Sequence, residues 1–327
     1  GQFYRMSVSP SDANKMIGGL QDNGGQARNG GQWNNYHGGD GMDNAIDPNN
    51  DNIFYGFTQN GGSFNVTSNS GQSIGQIAAP RDGDGNRISG NWITPLAVGP
   101  TGDVFSGFDA VYKLQGNSWE KISVGLDGSN LTDIEVSPTN DQVLYVARED
   151  LLYQSTDGGV TYDFIERFPT IIADIDVHSS QENIAYVVTS RRVGIRQAQQ
   201  PGNRGVYRVT INGPADYTVD DITLNLPADQ ALFSIEHQGR HTDNPVYVGT
   251  SLGVYRIDDT LTEWEDYFTN LPNLAVSDLD INLDEEIITA ATYGRGIWQS
   301  PIPVQVPDED IELLSITNPG VNSILCG

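Results

Sequence analysis

Residues Leu131 to Ile165 read LTDIEVSPTNDQVLYVAREDLLYQSTDGGVTYDFI, and this unit constrains the fold more than any other stretch. An alternating run (Ile134, Val136) leads into a Ser-Pro-Thr-Asn turn and a second apolar run, Val143 to Val146. A third run (Leu151 to Tyr153), a Gly-rich turn and a fourth run (Tyr162 to Ile165) follow. Period-two alternation punctuated by turn residues predicts four short strands in a meander. The same grammar starts again near Tyr4, Met42, Trp92, Ile172, Leu232 and Val276, at spacings of 38 to 60 residues. Seven copies at this period predict an all-β chain folded as a seven-bladed β-propeller of four-stranded blades over residues 1–301. Two interruptions stretch the period, at Pro80 to Asn91 and at the basic segment Arg191 to Gly205.

The last copy stops after a third strand, IWQS, and a Pro- and Asp-containing stretch at 302–309 reads as a linker. A propeller protects its edges by joining its first and last blades. Closure therefore calls for a strand from upstream of Gly1 or from the chain start itself. Without an initiating Met or a charged-plus-apolar leader, the chain reads as a mature or excised piece.

The charge narrows the partners. With 17 Lys+Arg against 43 Asp+Glu, the formal net charge is −26, which repels nucleic acid and anionic membrane surfaces. No apolar run is long enough to span a bilayer, so direct membrane insertion is not expected. The single cysteine, Cys326, allows no intradomain disulfide, and the scarcity of lysine tilts the reading toward the outside of a cell.

Several segments carry candidate chemistry. His37, Asp40, Asp43 and Asp47 fall within eleven residues, and the glycines beside Asp40 would let the backbone approach a ligand. Carboxylates suit a hard cation, so Asp40, Asp43 and Asp47 form one candidate Ca²⁺ set; the alternative is a tight turn leading into a strand. Gln21, Asp22 and Asn23 occupy the equivalent place in the preceding repeat and add polar ligand contacts. Asp82, Asp84 and Asn86 imitate the start of a calcium loop, but Arg87 and Ile93 stand where an EF-hand needs Gly and Glu, leaving a looser site or a solvated acidic loop. Arg295, in a turn before the closing strand, is a candidate to reach the propeller axis. The histidines have no zinc-binding spacing, and no nucleophile elbow or phosphate loop occurs.

Ser155-x-Asp157-x-Gly159-x-Thr161-Tyr162 resembles the Asp-box, or BNR repeat, of sialidases, sortilin-type receptors and xyloglucanase-like propellers, with Tyr162 where Trp is usual. Its local reading is structural: Asp157 takes N–H groups of its own turn. Thr58 to Phe64 reads as a degenerate copy, with Asn60 at the Asp position. GGLQDNGG, GGDGMDNAIDPNNDNIFYG and ATYGRGIWQS are similar to the sortilin-related propellers of secreted Bacteroidetes proteins, over Phe3 to about Pro301. Residues 310–327, DIELLSITNPGVNSILCG, resemble the first strand of an Ig-like adhesion module. The resemblance implies an exported, type IX-secreted surface protein. In it the propeller would be a non-catalytic module that binds a glycan or surface protein and contacts other domains of its own chain. One alternative is a xyloglucanase-like hydrolase using Asp40 or Asp43 with a second carboxylate; another is a structural spacer in an adhesin. The arginine trio of a sialidase is not found.

Overall fold

The computed structural model describes residues 1–190 and 204–304. Most of the basic interruption, the linker from residue 305 and the Ig-like strand expected at 310–327 lie outside the described residues. The chain is a seven-bladed β-propeller: six blades are four-stranded antiparallel meanders, and the seventh shows three strands among the described residues. The innermost strands, in blade order, are Phe3–Ser9, Gly41–Ile46, Leu96–Val98, Asp133–Val136, Ile172–Val177, Leu232–His237 and Val276–Asn282.

Alternation explains how these strands work. In Asp133–Val136 and Ile172–Val177, Ile134, Val136, Ile175 and Val177 are buried between blades, while the intervening Asp133, Glu135, Asp174 and Asp176 line the central channel. A hydrophobic cluster fills each junction. Val143, Tyr145 and Leu152 of blade four meet Ile175, Ala185 and Val187 of blade five, and Phe57 and Phe64 of blade two meet Leu96, Val104 and Phe108 of blade three. Phe3 and Met6 of blade one pack on Ala291 of blade seven, which closes the ring.

The chain start does not supply a fourth strand to blade seven. Phe3–Ser9 is itself the innermost strand of blade one: past a bulge between Phe3 and Arg5, its alternation sends Met6 and Val8 into the core and Arg5 and Ser7 toward the channel.

In five of the seven blades the connection from the first to the second strand follows a common rule. A Ser, Asp, His or Asn ending the first strand accepts backbone N–H groups of the next turn. Asp47 Oδ1 accepts from Asn49 and Asn50 at 2.8 and 3.1 Å, Asn282 Oδ1 from Glu285 at 2.7 Å, and His178 Nδ1 from Ser180 and Gln181, each at 3.2 Å.

Candidate functional site

Two spaces lie on the propeller axis. One is a narrow channel lined by the innermost strands, with eight carboxylates and Arg5 as its one cationic side chain. The other is a bowl of about 890 Å³ at the mouth where the innermost strands begin. Arg5 lines both, as the floor of the bowl and the roof of the channel.

The channel carboxylates serve the fold. Asp43 Oδ2 accepts from Leu96 N–H at 2.9 Å, Asp133 Oδ2 from Ile175 at 2.7 Å, and Asp174 Oδ2 from Ile235 at 2.8 Å. Asp176 Oδ2 accepts from His237 at 2.5 Å and Asp280 Oδ2 from Val8 at 2.6 Å. In each case the carboxylate of one blade takes an N–H from the innermost strand of the next. Arg5 Nη1 reaches Asp174 and Asp278, both at 3.2 Å, and Nη2 donates to Ala173 O at 3.2 Å. Burial opposes the charge on Arg5, but the carboxylates of Asp174 and Asp278 outweigh it and push its pKa up. Burial among like charges pushes the acids up as well: Asp43, Asp176 and Asp280 to about 7, and Asp133 to about 6.

The bowl is built from residues at the starts of the innermost strands and at the turns between second and third strands. Tyr4 and Tyr293 pack with ring centroids 5.9 Å apart, and the Tyr293 hydroxyl donates to Gln21 Oε1. Burial raises the Tyr4 hydroxyl to about 12, against a hydrogen bond from the Trp92 side chain. Trp92 itself is 44% exposed. Asn91, Asn130, Asp40 and Glu149 supply polar groups around the rim, and Phe233 and Ile171 form an apolar wall.

Of the residues singled out in the sequence, Gln21 and Asp40 reach the bowl. Asp22 adopts φ 59° in the adjoining turn, where its N–H donates to Asp40 Oδ1; the Asp40 N–H donates to Gln59 Oε1 at 3.1 Å. Asn23 lies on a separate groove. His37 is buried beside Tyr36, bonded to Gly38 O at 3.0 Å, and burial lowers its pKa. Arg295 is exposed in its turn and lines neither axial space; the cation on the axis is Arg5.

The proposed calcium sets are not assembled as ligand clusters. Asp40 lies at the bowl, Asp43 in the channel, and Asp47 at the far turn with Tyr55 Oη at 3.5 Å. A strand spreads residues three and four apart along its length rather than gathering them. Asp82 accepts from Asp84 and Asn86 N–H at 3.0 and 2.8 Å and from Asn86 Nδ2 at 3.1 Å, so its own loop takes its oxygens. Among the described residues, no group of three His, Cys, Asp or Glu side chains is placed to hold a metal.

In the Ser155–Tyr162 turn, Asp157 Oδ1 accepts from Val160 and Thr161 N–H at 3.0 and 2.9 Å, and Oδ2 from Thr161 Oγ1 at 2.6 Å. Gly158 and Gly159 take φ 75° and 88°. This turn joins the third and fourth strands of its blade. Thr58 to Phe64 joins the second and third strands instead, with a 3₁₀ turn at Gln59–Gly61, so it is not a topological copy. Composition alone does not distinguish a turn at one face from a turn at the other.

No family model and no curated protein matches the chain. Solved structures do. The GH74 xyloglucanase from Xanthomonas campestris aligns at TM-score 0.71 and 15% identity, over 92% of this chain and 52% of that one. The Niastella koreensis GH74 enzyme aligns at 0.69 and 17%, over 91% and 52%. Kuenenia stuttgartiensis hydrazine synthase aligns at 0.67 and 14%, over 93% and 96%. The chain thus spans about half the length of these two glycoside hydrolases. At such identities the likeness establishes the propeller fold, and neighbours of such different names show that the fold alone does not select a function.

Sequence reasoning missed the channel and most of the bowl. The signal for the channel was present, as an acidic residue between apolar ones in DIEV, DIDV, SIEH and DLDI, at the same place in four repeats.

Proposed function

We propose that the chain is a carbohydrate-binding β-propeller module of a larger exported protein, with its ligand seated in the bowl. The observation that carries this reading is exposed Trp92 standing over a cavity of about 890 Å³ whose rim holds Gln21, Asn91, Asn130 and Asp40. Sugars offer C–H faces to an aromatic ring and hydroxyls to amides and carboxylates, and this rim presents both. The formal charge of −26 speaks against an anionic polymer as ligand. Affinity electrophoresis and glycan-array binding with the wild type and Trp92→Ala test the proposal. Retardation by a neutral polysaccharide that falls about tenfold or more in the variant, a loss of about 1.4 kcal/mol, supports it; a wild type that binds no glycan ends it.

A second reading is hydrolysis. Asp40 and Glu149 both border the bowl, and two of the fold neighbours are glycoside hydrolases. Release of new reducing ends from a bound polysaccharide, abolished by Asp40→Asn, would replace the binding-only reading. Asp43 is a poorer candidate, since it sits below Arg5 with Oδ2 engaged by Leu96.

A further inference from the structure

The charge inside the bowl is one-sided. Among the described residues that line it, three carry a formal charge: Arg5, Asp40 and Glu149. Arg5 is held from below, by Asp174 and Asp278 at 3.2 Å and by Ala173 O at 3.2 Å, so channel carboxylates already match its charge. The two bowl carboxylates are left open. Asp40 Oδ1 accepts the Asp22 N–H, but among the described residues no hydrogen bond reaches Asp40 Oδ2 or the Glu149 carboxylate, and no cation pairs with either. The carboxylates of the channel differ, because Asp43, Asp133, Asp174, Asp176 and Asp280 each take a backbone N–H across a blade junction. Joining blades accounts for those five and not for the pair at the bowl.

Aromatic rings stand beside these carboxylates. In ring order, exposed Trp92 of blade three comes between Asp40 of blade two and Glu149 of blade four. Asp40 lies within electrostatic reach of Tyr4: burial is the main cause that raises the Tyr4 hydroxyl, and the charge of Asp40 adds to it. A ring face draws a cation through its quadrupole, and a carboxylate offers an ammonium group both opposite charge and acceptor oxygens. Sugar hydroxyls need neither, since the amides of Gln21, Asn91 and Asn130 can serve them. Two of those amides are oriented in advance, Asn91 Nδ2 donating to Leu131 O at 2.6 Å and Asn130 Nδ2 to Ser89 O at 3.0 Å.

We propose that the glycan held in the bowl carries a protonated amine, as an amino sugar with a free 2-amino group does, and that this group sits between the Trp92 ring and the Asp40 carboxylate. The inference rests on the carbohydrate reading above and adds the charge of the ligand to it. An ammonium group gives up water on entering the bowl, and the Asp40 oxygen with the ring face replaces that water. The field of the whole chain acts in the same direction: a formal charge of −26 draws a cationic ligand in and repels one bearing carboxylates or sulfates.

The test is titration calorimetry with β-1,4-linked oligomers of glucose, N-acetylglucosamine and glucosamine, matched in length and differing at C2 alone. It is run in about 0.15 M salt at about pH 6, where the amine is protonated and the carboxylates are ionised. The glucosamine oligomer is expected to bind at least about tenfold tighter than either uncharged one. In Asp40→Asn, whose amide keeps an acceptor for the Asp22 N–H, that ratio should fall to about twofold. Asp216→Asn, on the outer strand of blade five, removes the same charge outside the bowl and should leave the ratio as it was. Thermal transitions check the folding of both variants. Equal binding of the glucosamine oligomer and either uncharged oligomer overturns the proposal and leaves the carbohydrate reading standing. A preference that falls alike or persists alike in the two variants also overturns it, since the attraction would then belong to the net charge of the chain. Failure of all three oligomers to bind, together with a blank glycan array, ends the carbohydrate reading itself and this proposal with it.

Discussion

Asp278 Oδ2 accepts the backbone N–H of Met6 at 2.8 Å, joining residues 272 positions apart in the chain. With the Asp280–Val8 bond at 2.6 Å, it makes the junction of blades seven and one by the same device that joins blades four and five or five and six. The ring is closed at its centre by carboxylates on the innermost strands, whatever covers the outer edge of blade seven. An orphaned buried N–H costs about 1–3 kcal/mol. Asp278→Ala is therefore expected to lower stability by about that amount in denaturant unfolding, while Asp278→Asn, which keeps an acceptor oxygen, costs much less. Equal losses in the two variants would show that the charge toward Arg5 matters more than the bond to Met6.

The same carboxylates set a pH dependence whose sign is opposite to that of ordinary surface acids. Burial holds Asp43, Asp176 and Asp280 at about 7 in the folded chain, against about 4 in the unfolded one. The folded state then binds more protons between those values. This contribution is present in full below about pH 4 and is lost as pH rises through about 7. Asp51 is lowered by Lys15, and Asp157 and Asp258 are lowered against burial by local hydrogen bonds; these give stability that is lost only on further acidification. Thermal melts should show a higher midpoint at pH 5 than at pH 8, and Asp280→Asn should flatten the difference. A midpoint that climbs over this range would refute the assignment.

Asp157 and Trp92 should separate cleanly. Asp157→Ala removes acceptors for Val160 N–H, Thr161 N–H and Thr161 Oγ1 in an outer turn remote from the bowl. It is expected to cost about 1–2 kcal/mol of stability, comparable with the loss of a helix cap, and to leave ligand affinity unchanged. Trp92→Ala should do the reverse, lowering affinity with a midpoint within a degree or two of the wild type. Calorimetric melts and binding titrations on both variants decide the matter.

The difference between the two residues also marks what a sequence discloses. The blades were legible because alternation and turn residues are local signals, repeated seven times. The Asp157 turn was legible for the same reason: its donors and acceptor lie within seven residues. The bowl was not, because Tyr4, Trp92, Asn130, Phe233 and Tyr293 each come from a different blade and meet only when the ring closes. Arg5 entered none of the candidate sites read from the sequence, although its place in the alternation before Met6 and Val8 put it on the channel side. The grouping of Asp40, Asp43 and Asp47 failed because closeness along a strand is not closeness in space.

The glycines of the first two repeats show the remaining error and allow its correction to be tested. The glycines beside Asp40 suggested backbone laid open to a ligand, but Gly41 faces Gly24 and Gly19, and Gly19 of GGLQDNGG in turn faces the backbone of Met42 and Gly41. A Cβ on Gly19 would fall inside the contact distance of the Met42 carbonyl oxygen, a backbone atom with no rotamer by which to retreat. These residues are small so that blade one can lie on blade two. Gly19→Ala should therefore force the two blades apart and cost about 1–3 kcal/mol or more. Gly38→Ala, two residues before Asp40 and with open space around its Cα, should change stability by no more than about 0.5 kcal/mol. If denaturant unfolding instead finds Gly19→Ala harmless to stability while ligand affinity falls, the glycines serve the bowl rather than the blade junction.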